Sequence, residues 1–216
     1  MITEKHLTVP RNLRYYTYGN LNESTVSIWI LLHGHGQLAG DFIKLFYGLS
    51  EFNSYLIAPE GLMRFYLKGS YGDVGASWMT KEDRLTDISD YINYLDSLYE
   101  NELSSYIRKQ AIKVNALGFS QGATTLSRWM YYGKSRIDRA VFWCGEIATD
   151  IDLTTHSNFA CSEIYQVFGD ADKIFSEDFP LRQKMILENA GLKPKMLVFR
   201  GGHEVNAGLM KKLGII

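Results

Sequence analysis

Residues Ala111–Gly122 read Ala-Ile-Lys-Val-Asn-Ala-Leu-Gly-Phe-Ser-Gln-Gly, and this stretch decides the fold. An apolar, strand-like run passes straight into G-x-S-x-G, and a helix-like segment, Ala123–Tyr132, follows. In that context the pentapeptide is a nucleophile elbow, a strand-to-helix turn so tight that the serine backbone is strained. Its neighbours cannot carry bulky side chains, and Gly118 and Gly122 leave the room. The gain is geometric. Oγ of Ser120 stands clear of the sheet with a helix N-terminus behind it. Without the flanking strand and helix the motif would be a chance string of small residues; with them, Ser120 is the candidate nucleophile.

Working outward, Val26–Leu32 is a nearly unbroken apolar run, as expected for a strand buried on both faces. It ends in His33-Gly34-His35-Gly36, a helix-like segment Leu38–Leu49 follows, and Tyr55–Ala58 reads as the next strand, stopped by Pro59-Glu60-Gly61. Beyond the elbow, Ile137–Trp143, Glu163–Phe168 and Lys195–Phe199 read as strands, and Phe179–Asn189 and Glu204–Leu213 as helices. Leu85, Ile88, Ile92, Leu95 and Leu98 give Arg84–Leu103 a helical period. Upstream, Lys5–Val9 and Leu13–Tyr18 flank Pro10-Arg11-Asn12 and predict an antiparallel edge hairpin. Strands alternating with helices imply an α/β domain whose central sheet is mostly parallel and covered by helices on both faces. Reactive groups in such sheets gather at the carboxyl ends of the strands.

Leu62–Glu82 reads as a long irregular loop carrying Gly69, Gly72 and Gly75 among Phe65, Tyr66, Tyr71 and Trp78. Loops of this length in compact domains usually have a task. The apolar run around Phe65 and Tyr66 is the candidate wall of a substrate pocket.

The bulk numbers set bounds. At 216 residues the chain reads as one domain, 1–216, large enough to bury a core without staples, and no linker marks off a separate cap. With 23 Lys+Arg against 24 Asp+Glu the net charge is -1, which argues against long-range attraction to nucleic acid or anionic membrane. Cys144 and Cys161 form no C-x-x-C pair, so neither a disulfide framework nor a structural zinc site is expected. No apolar run reaches signal-peptide length at the start, or the ~20 residues of a membrane span. The expectation is a cytoplasmic protein without membrane insertion.

A serine hydroxyl needs a base to take its proton and a carboxylate to orient that base. His203 follows the strand Lys195–Phe199 through Arg200-Gly201-Gly202, at the carboxyl edge of the sheet, and satisfies the chain order Ser, acid, His. His33 also ends a strand but feeds a G-x-G turn suited to another task; His6 sits in the expected hairpin and His156 in a polar loop. For the acid, Asp170 and Asp172 both close the strand ending Val167-Phe168-Gly169, and Glu146 ends the preceding one. Asp170 equally suits a turn cap bonding its own backbone. Two backbone N–H donors must face the oxygen on which charge develops; Gln121 offers one and His35, between two glycines, the other. No phosphate-binding glycine pattern is present. The H-x-H of His33 and His35 lacks an Asp or Cys partner, so no metal is expected, and the chemistry requires no cofactor.

With these residues in place the chain resembles the α/β-hydrolase superfamily, and within it the phospholipase/carboxylesterase branch that includes acyl-protein thioesterases. The resemblance rests on Leu32-His33-Gly34-His35-Gly36, Ala58-Pro59-Glu60-Gly61, Gly118-Phe119-Ser120-Gln121-Gly122, Phe168-Gly169-Asp170-Ala171-Asp172 and Gly201-Gly202-His203-Glu204. It implies Asp172 as the acid, Gln121 and His35 as oxyanion donors, and Trp78 in a segment near the acyl pocket. Arg200 directly before Gly201-Gly202-His203, and the stretch Leu62–Glu82, depart from the family pattern. The expected activity is serine hydrolysis of a small-molecule or lipid-like carboxylic ester or thioester. The alternatives are an acyltransferase or peptidase with the same triad, or a binding module that kept the fold.

Overall fold

The computed structural model of the chain describes residues 1–155 and 157–216, so His156 lies outside the described residues. In chain order the elements are β1 Tyr15–Tyr18, β2 Ser27–Leu32, α1 Ala39–Phe42, β3 Ser54–Pro59, β4 Met63–Tyr66, β5 Val74–Ser77, α2 Arg84–Leu98 and α3 Ser104–Lys109. Then follow β6 Lys113–Phe119, α4 Gln121–Tyr132, β7 Arg139–Trp143, α5 Ser157–Cys161, β8 Glu163–Gly169, α6 Phe179–Asn189, β9 Lys195–Phe199 and α7 Leu209–Lys212.

Seven strands form one sheet in the order β1-β3-β2-β6-β7-β8-β9. Every pairing from β3 to β9 is parallel, and only β1 runs antiparallel, with Tyr15 opposite Pro59. The apolar runs dictate this layout, because strands with no polar face must be covered on both sides. Side chains alternate between two cores. Ile28, Ile30, Leu32, Val114, Ala116 and Phe142 meet Ile88, Tyr91 and Leu95 of α2 and Leu126 and Trp129 of α4. Trp29, Leu31, Leu117, Val141 and Trp143 point the other way, onto Phe42, Phe46 and Leu49 and onto Met210 and Ile215 of the tail. Each large side chain so buried contributes roughly 1.5–3 kcal/mol.

The chain winds away from β2 toward β3 on one side and from β6 toward β7 on the other. The β2/β6 boundary, with Leu32 opposite Gly118, is therefore a topological switch point. Both the His33–Gly36 turn and the Ser120 elbow leave the sheet there.

Five expected elements differ from their sequence reading. Lys5–Val9 forms no strand; Leu7 and Val9 are 86% and 65% exposed, and Pro10 removes a ladder donor just beyond. The antiparallel edge is thus β1 against β3 alone. Leu62–Glu82 is not irregular: β4 and β5 pair antiparallel, Met63 opposite Ser77, and Leu67 N–H donates to Asp73 O at 2.8 Å across the loop. Leu38–Leu49 begins as one α-helical turn and continues as 3-10 turns over Ile43–Phe52. The tail helix is confined to α7, and α2 passes through a single π-type turn, Tyr99–Leu103, into α3.

The β4–β5 hairpin is docked on the turn after β2. Gly36 N–H donates to Ala76 O at 2.8 Å and Ala76 N–H to Gln37 O at 3.0 Å. Gly75 must be glycine, since any Cβ there would enter the Gly36 backbone. Beneath, the buried Glu60 carboxylate accepts Arg14 Nε at 2.6 Å, Arg64 Nη1 at 3.3 Å and Ala39 N–H at 3.3 Å. One carboxylate therefore ties the segment leading into β1, the hairpin and α1 together. No described helix is long and apolar enough to cross a membrane.

Candidate active site

Ser120 has φ 53° and ψ -117°, a conformation that few non-glycine residues adopt. The two glycines of the elbow are explained by contact. A Cβ on Gly118 would be driven into the Gly122 carbonyl, and one on Gly122 into the Leu32 carbonyl of the neighbouring strand. Helix α4 begins at the next residue, so the Gln121 N–H is one of the helix's unfilled donors and the dipole's positive end faces Ser120.

Three residues distant in sequence meet at this elbow. His203 Nε2 lies 2.9 Å from Ser120 Oγ, and His203 Nδ1 lies 2.8 Å from Asp172 Oδ2. A carboxylate only accepts, so the proton sits on Nδ1 and Nε2 is left to accept from the serine hydroxyl. Asp172 is held in turn by the Ile174 N–H, which donates to Oδ1 at 2.9 Å. The acid's side chain is 7% exposed and the imidazole 17%, so the pair is shielded but reachable. Asp170 faces away: its Oδ1 accepts the Gly201 N–H at 3.0 Å, which fastens the acid loop to the base loop. Glu146 is exposed, and His6 pairs with Glu4 and Asp83 on the surface.

On the other side of Ser120, the His33–Gly36 turn has its flanking amides occupied. Gly34 N–H donates to Gln37 Oε1 at 2.8 Å and Gly36 N–H to Ala76 O. Among the described hydrogen bonds the His35 N–H has no internal acceptor. The His35 ring lies on Phe65 at 5.1 Å between centroids, with Nδ1 3.2 Å from Ser77 Oγ. The Gln121 side chain is pinned away from Ser120: Trp78 N–H donates to its Oε1 at 3.1 Å, and its Nε2 donates to Met79 O at 2.9 Å.

The model describing phospholipases and carboxylesterases matches residues 21–214. The chain belongs to the phospholipase/carboxylesterase family. No curated relative matches its sequence. Among solved structures it is similar to the acyl-protein thioesterase 2 of Zea mays, with a TM-score of 0.68 at 18% identity over 93% of this chain and 95% of that one. It is likewise similar to the Bacillus cereus carboxylesterase (TM-score 0.67, 17%, 93% and 91%) and to a carboxylesterase from Mesorhizobium loti (0.66, 14%, 88% and 89%). These likenesses establish the α/β-hydrolase fold, and the family is one of esterase- and thioesterase-like hydrolases.

In this phospholipase/carboxylesterase family member, Trp78 lines none of the described cavities. It is fully buried, donates Nε1–H to His33 O at 2.8 Å and packs edge-on against Tyr91. Phe65 reaches the site rim through His35, whereas Tyr66 is exposed on the opposite face of the hairpin strand. Two residues that motif reading missed also contribute. Ser77, at the end of β5, bonds His35, Gln121 and the Met79 carbonyl. Cys144 lies under the acid–base pair, its Sγ, an Asp172 oxygen and a His203 nitrogen all within 4.8 Å of one another. Burial pushes the Cys144 thiol up to about 12, so it stays protonated.

These three atoms could in principle grip a metal ion, as could the exposed Glu4, His6 and Asp83. His33 is outside both groups: its Nδ1 donates to Gly34 O at 2.8 Å and its Nε2 accepts the Gly61 N–H at 2.9 Å. A cavity of about 870 Å³ between residues 5–13 and α2 includes none of the Ser120 cluster. One of about 260 Å³ opens beyond Asp172, lined by Phe168, Phe175, Phe179 and Val198. The smaller one lies nearer the chemistry, with Asp172 forming part of its wall.

Burial lowers the His33 pKa below its ordinary 6.5. The unfolded chain therefore takes up a proton near pH 6.5 that the folded chain refuses. This contribution to stability is present above pH 6.5 and is lost as the pH falls below it, at up to about 1.4 kcal/mol per pH unit. Denaturant unfolding between pH 7.5 and 5 should show that slope. A His33→Gln variant, less stable at pH 7.5, should show a shallower one; identical slopes would remove His33 as the source.

Proposed function

We propose that this chain is a serine hydrolase cleaving carboxylic esters or thioesters, working as one domain without a separate cap. The observation that carries the reading is the continuous relay Asp172–His203–Ser120, with bonds of 2.8 and 2.9 Å, at an elbow whose serine is strained outward. His203 Nε2 takes the Ser120 proton as Oγ attacks the carbonyl carbon, and the imidazolium that forms is stabilised by Asp172. The N–H groups of His35 and Gln121 receive the oxyanion, assisted by the N-terminus of α4. His203 then gives its proton to the leaving alcohol or thiol. A water, deprotonated by the same imidazole, attacks the acyl-serine and frees the acid. None of these steps calls on a cofactor.

The substrate expected is a small or lipid-like ester. Phe65, beside His35, and Phe175, beside His203, support an apolar acyl group at the site. The test is covalent: a fluorophosphonate probe should add one equivalent of mass, located on Ser120 by peptide mapping. A panel of esters and thioesters of graded acyl length then assigns the substrate class. An intact protein that takes up no probe, or takes it up on another residue, would end the proposal.

A further inference from the structure

The turn that carries the His35 N–H has unusual backbone freedom of its own, since His35 stands between Gly34 and Gly36, and Gly36 has φ 78°. The β4–β5 hairpin holds this turn at three points. Ala76 exchanges backbone hydrogen bonds with Gly36 and Gln37, at 2.8 and 3.0 Å. Phe65 of β4 stacks on the His35 ring at 5.1 Å, with the planes 26° apart. Ser77, the last residue of β5 and fully buried, places its Oγ 2.9 Å from Met79 O and 3.2 Å from both His35 Nδ1 and Gln121 Nε2. One hydroxyl thus stands between the two residues whose N–H groups are to receive the oxyanion.

That hydroxyl has a single proton to give. It goes to the Met79 carbonyl, the shortest of these contacts, so toward the other two groups the oxygen accepts and His35 Nδ1 carries the shared proton. His35 and Gln121 do not depend on Ser77 equally. Gln121 is the first residue of α4, and its side chain is also held by the Trp78 N–H and the Met79 carbonyl. For the His35 side chain, Ser77 is the one partner among the described hydrogen bonds.

We propose that Ser77 is a positioning residue which, through the His35 imidazole, fixes the direction of the His35 N–H. The inference rests on the reading of that N–H as an oxyanion donor. A donor already aimed when charge develops needs no reorganisation, whereas one free to swing between two glycines must be ordered on the way to the transition state. The cost of losing Ser77 therefore falls on kcat rather than on KM. This also gives the β4–β5 hairpin a task, and the close approach that demands glycine at position 75 serves it.

Ser77→Ala removes only the oxygen. The Met79 carbonyl keeps its bond from Gln121 Nε2, and the exposed His35 ring can turn to water, so the variant is expected to fold. The 15N order parameter of the His35 amide, measured without substrate, reads placement independently of turnover. It should fall from ~0.85 toward ~0.6 in the variant, with that of the Gln121 amide level. On a p-nitrophenyl ester, kcat should fall about tenfold, short of the ~10²- to 10³-fold for a donor lost outright, with KM changed by less than about twofold. An alkyl trifluoromethyl ketone, whose adduct on Ser120 carries the oxyanion, should bind about tenfold more weakly. His35→Phe, which keeps a ring against Phe65 and loses Nδ1, should show the same losses. Adding Ser77→Ala to it should cost less than about a further twofold. Losses that multiply in the double variant, or a His35 amide as ordered in Ser77→Ala as in the wild type, would overturn the proposal even if the protein hydrolyses esters. A loosened amide in a protein that hydrolyses none would uphold the placement by Ser77 and overturn the hydrolase reading instead.

Discussion

Ser120→Ala is expected to reduce kcat on a p-nitrophenyl ester by ~10⁴- to 10⁶-fold, the largest effect of any single substitution in this chain. The size follows from what is removed. On the proposed mechanism the variant loses the atom that bonds to the acyl group, and it leaves His203 Nε2 without the Oγ that stood at 2.9 Å. What survives is the electrostatic half of the site. The Gln121 and His35 N–H groups and the α4 N-terminus are backbone features that alanine does not disturb, so a residue of ~10³–10⁴ over water is expected to remain. The fold should tolerate the change, because Ala fits wherever Ser does at φ 53° and the elbow glycines keep their clearances. Burst kinetics check the same point: wild type should release nitrophenol in a burst if deacylation is the slower step, and the variant should not. Near wild-type turnover in Ser120→Ala would mean that the nucleophile is elsewhere or that the hydrolysis is not this protein's.

Much of this architecture was legible because buried parallel strands carry a strong signal. Ser27–Leu32 and Lys113–Phe119 are such runs bounded by turn residues and formed within a residue or two of their expected limits; Lys195–Phe199, an edge strand in which only Phe199 is buried, formed at its expected limits because its apolar run is bounded by turn residues all the same. The hairpin β4–β5 was hidden for the opposite reason. Its strands are four residues each, β4 half exposed and β5 made of the small residues Val-Gly-Ala-Ser, and β5 is held by docking on Gly36 and Gln37, some forty residues away in sequence. Lys5–Val9 failed the other way: strand-like alternation is present, but the segment pairs with no described strand, and Leu7 and Val9 stay in solvent. The tail from Glu204 showed helical character, but its first residues are held by the base loop. The Glu204 carbonyl accepts Trp143 Nε1–H at 2.8 Å, which keeps this segment out of a helix until Leu209.

The candidate site divides along the same line. Ser120 and His203 are marked by position, each just past the carboxyl end of an apolar strand, and positional logic is what a sequence can express. Contacts made only by folding left no trace. Ser77 looks like an ordinary strand serine until β5 is brought against Gln121, and Cys144 looks like a core thiol until the acid and base loops close over it. Trp78 erred in the other direction: a tryptophan beside an active-site segment resembles a pocket wall, but the His33 carbonyl captures its N–H and turns the ring into the core. Asp170 and Asp172 sit two apart on one loop, and only coordinates separate the acceptor of Gly201 N–H from the acceptor of His203 Nδ1.

That separation yields the second large effect. Asp172→Asn should lower kcat by ~10⁴-fold with little change in KM, because the amide inverts the hydrogen-bond logic. The Asn side chain can present an N–H toward His203, which then keeps Nδ1 as an acceptor and carries its proton on Nε2. A protonated Nε2 cannot accept the Ser120 proton, so the base is present but in the wrong tautomer. If the Asn carbonyl faces Nδ1 instead, the tautomer is preserved but no negative charge remains to stabilise the imidazolium. Either orientation costs catalysis. Asp170→Asn differs in kind, since its carbonyl oxygen can still accept the Gly201 N–H, and the expected change in kcat is less than about tenfold, within the ~1 kcal/mol of an ordinary hydrogen bond. Measured side by side on one ester, the two variants should differ by about three orders of magnitude. A larger loss at Asp170 would transfer the acid's role to it, and would require the loop between Gly169 and Phe175 to rearrange so that the carboxylate now bonded to Gly201 reaches His203 instead.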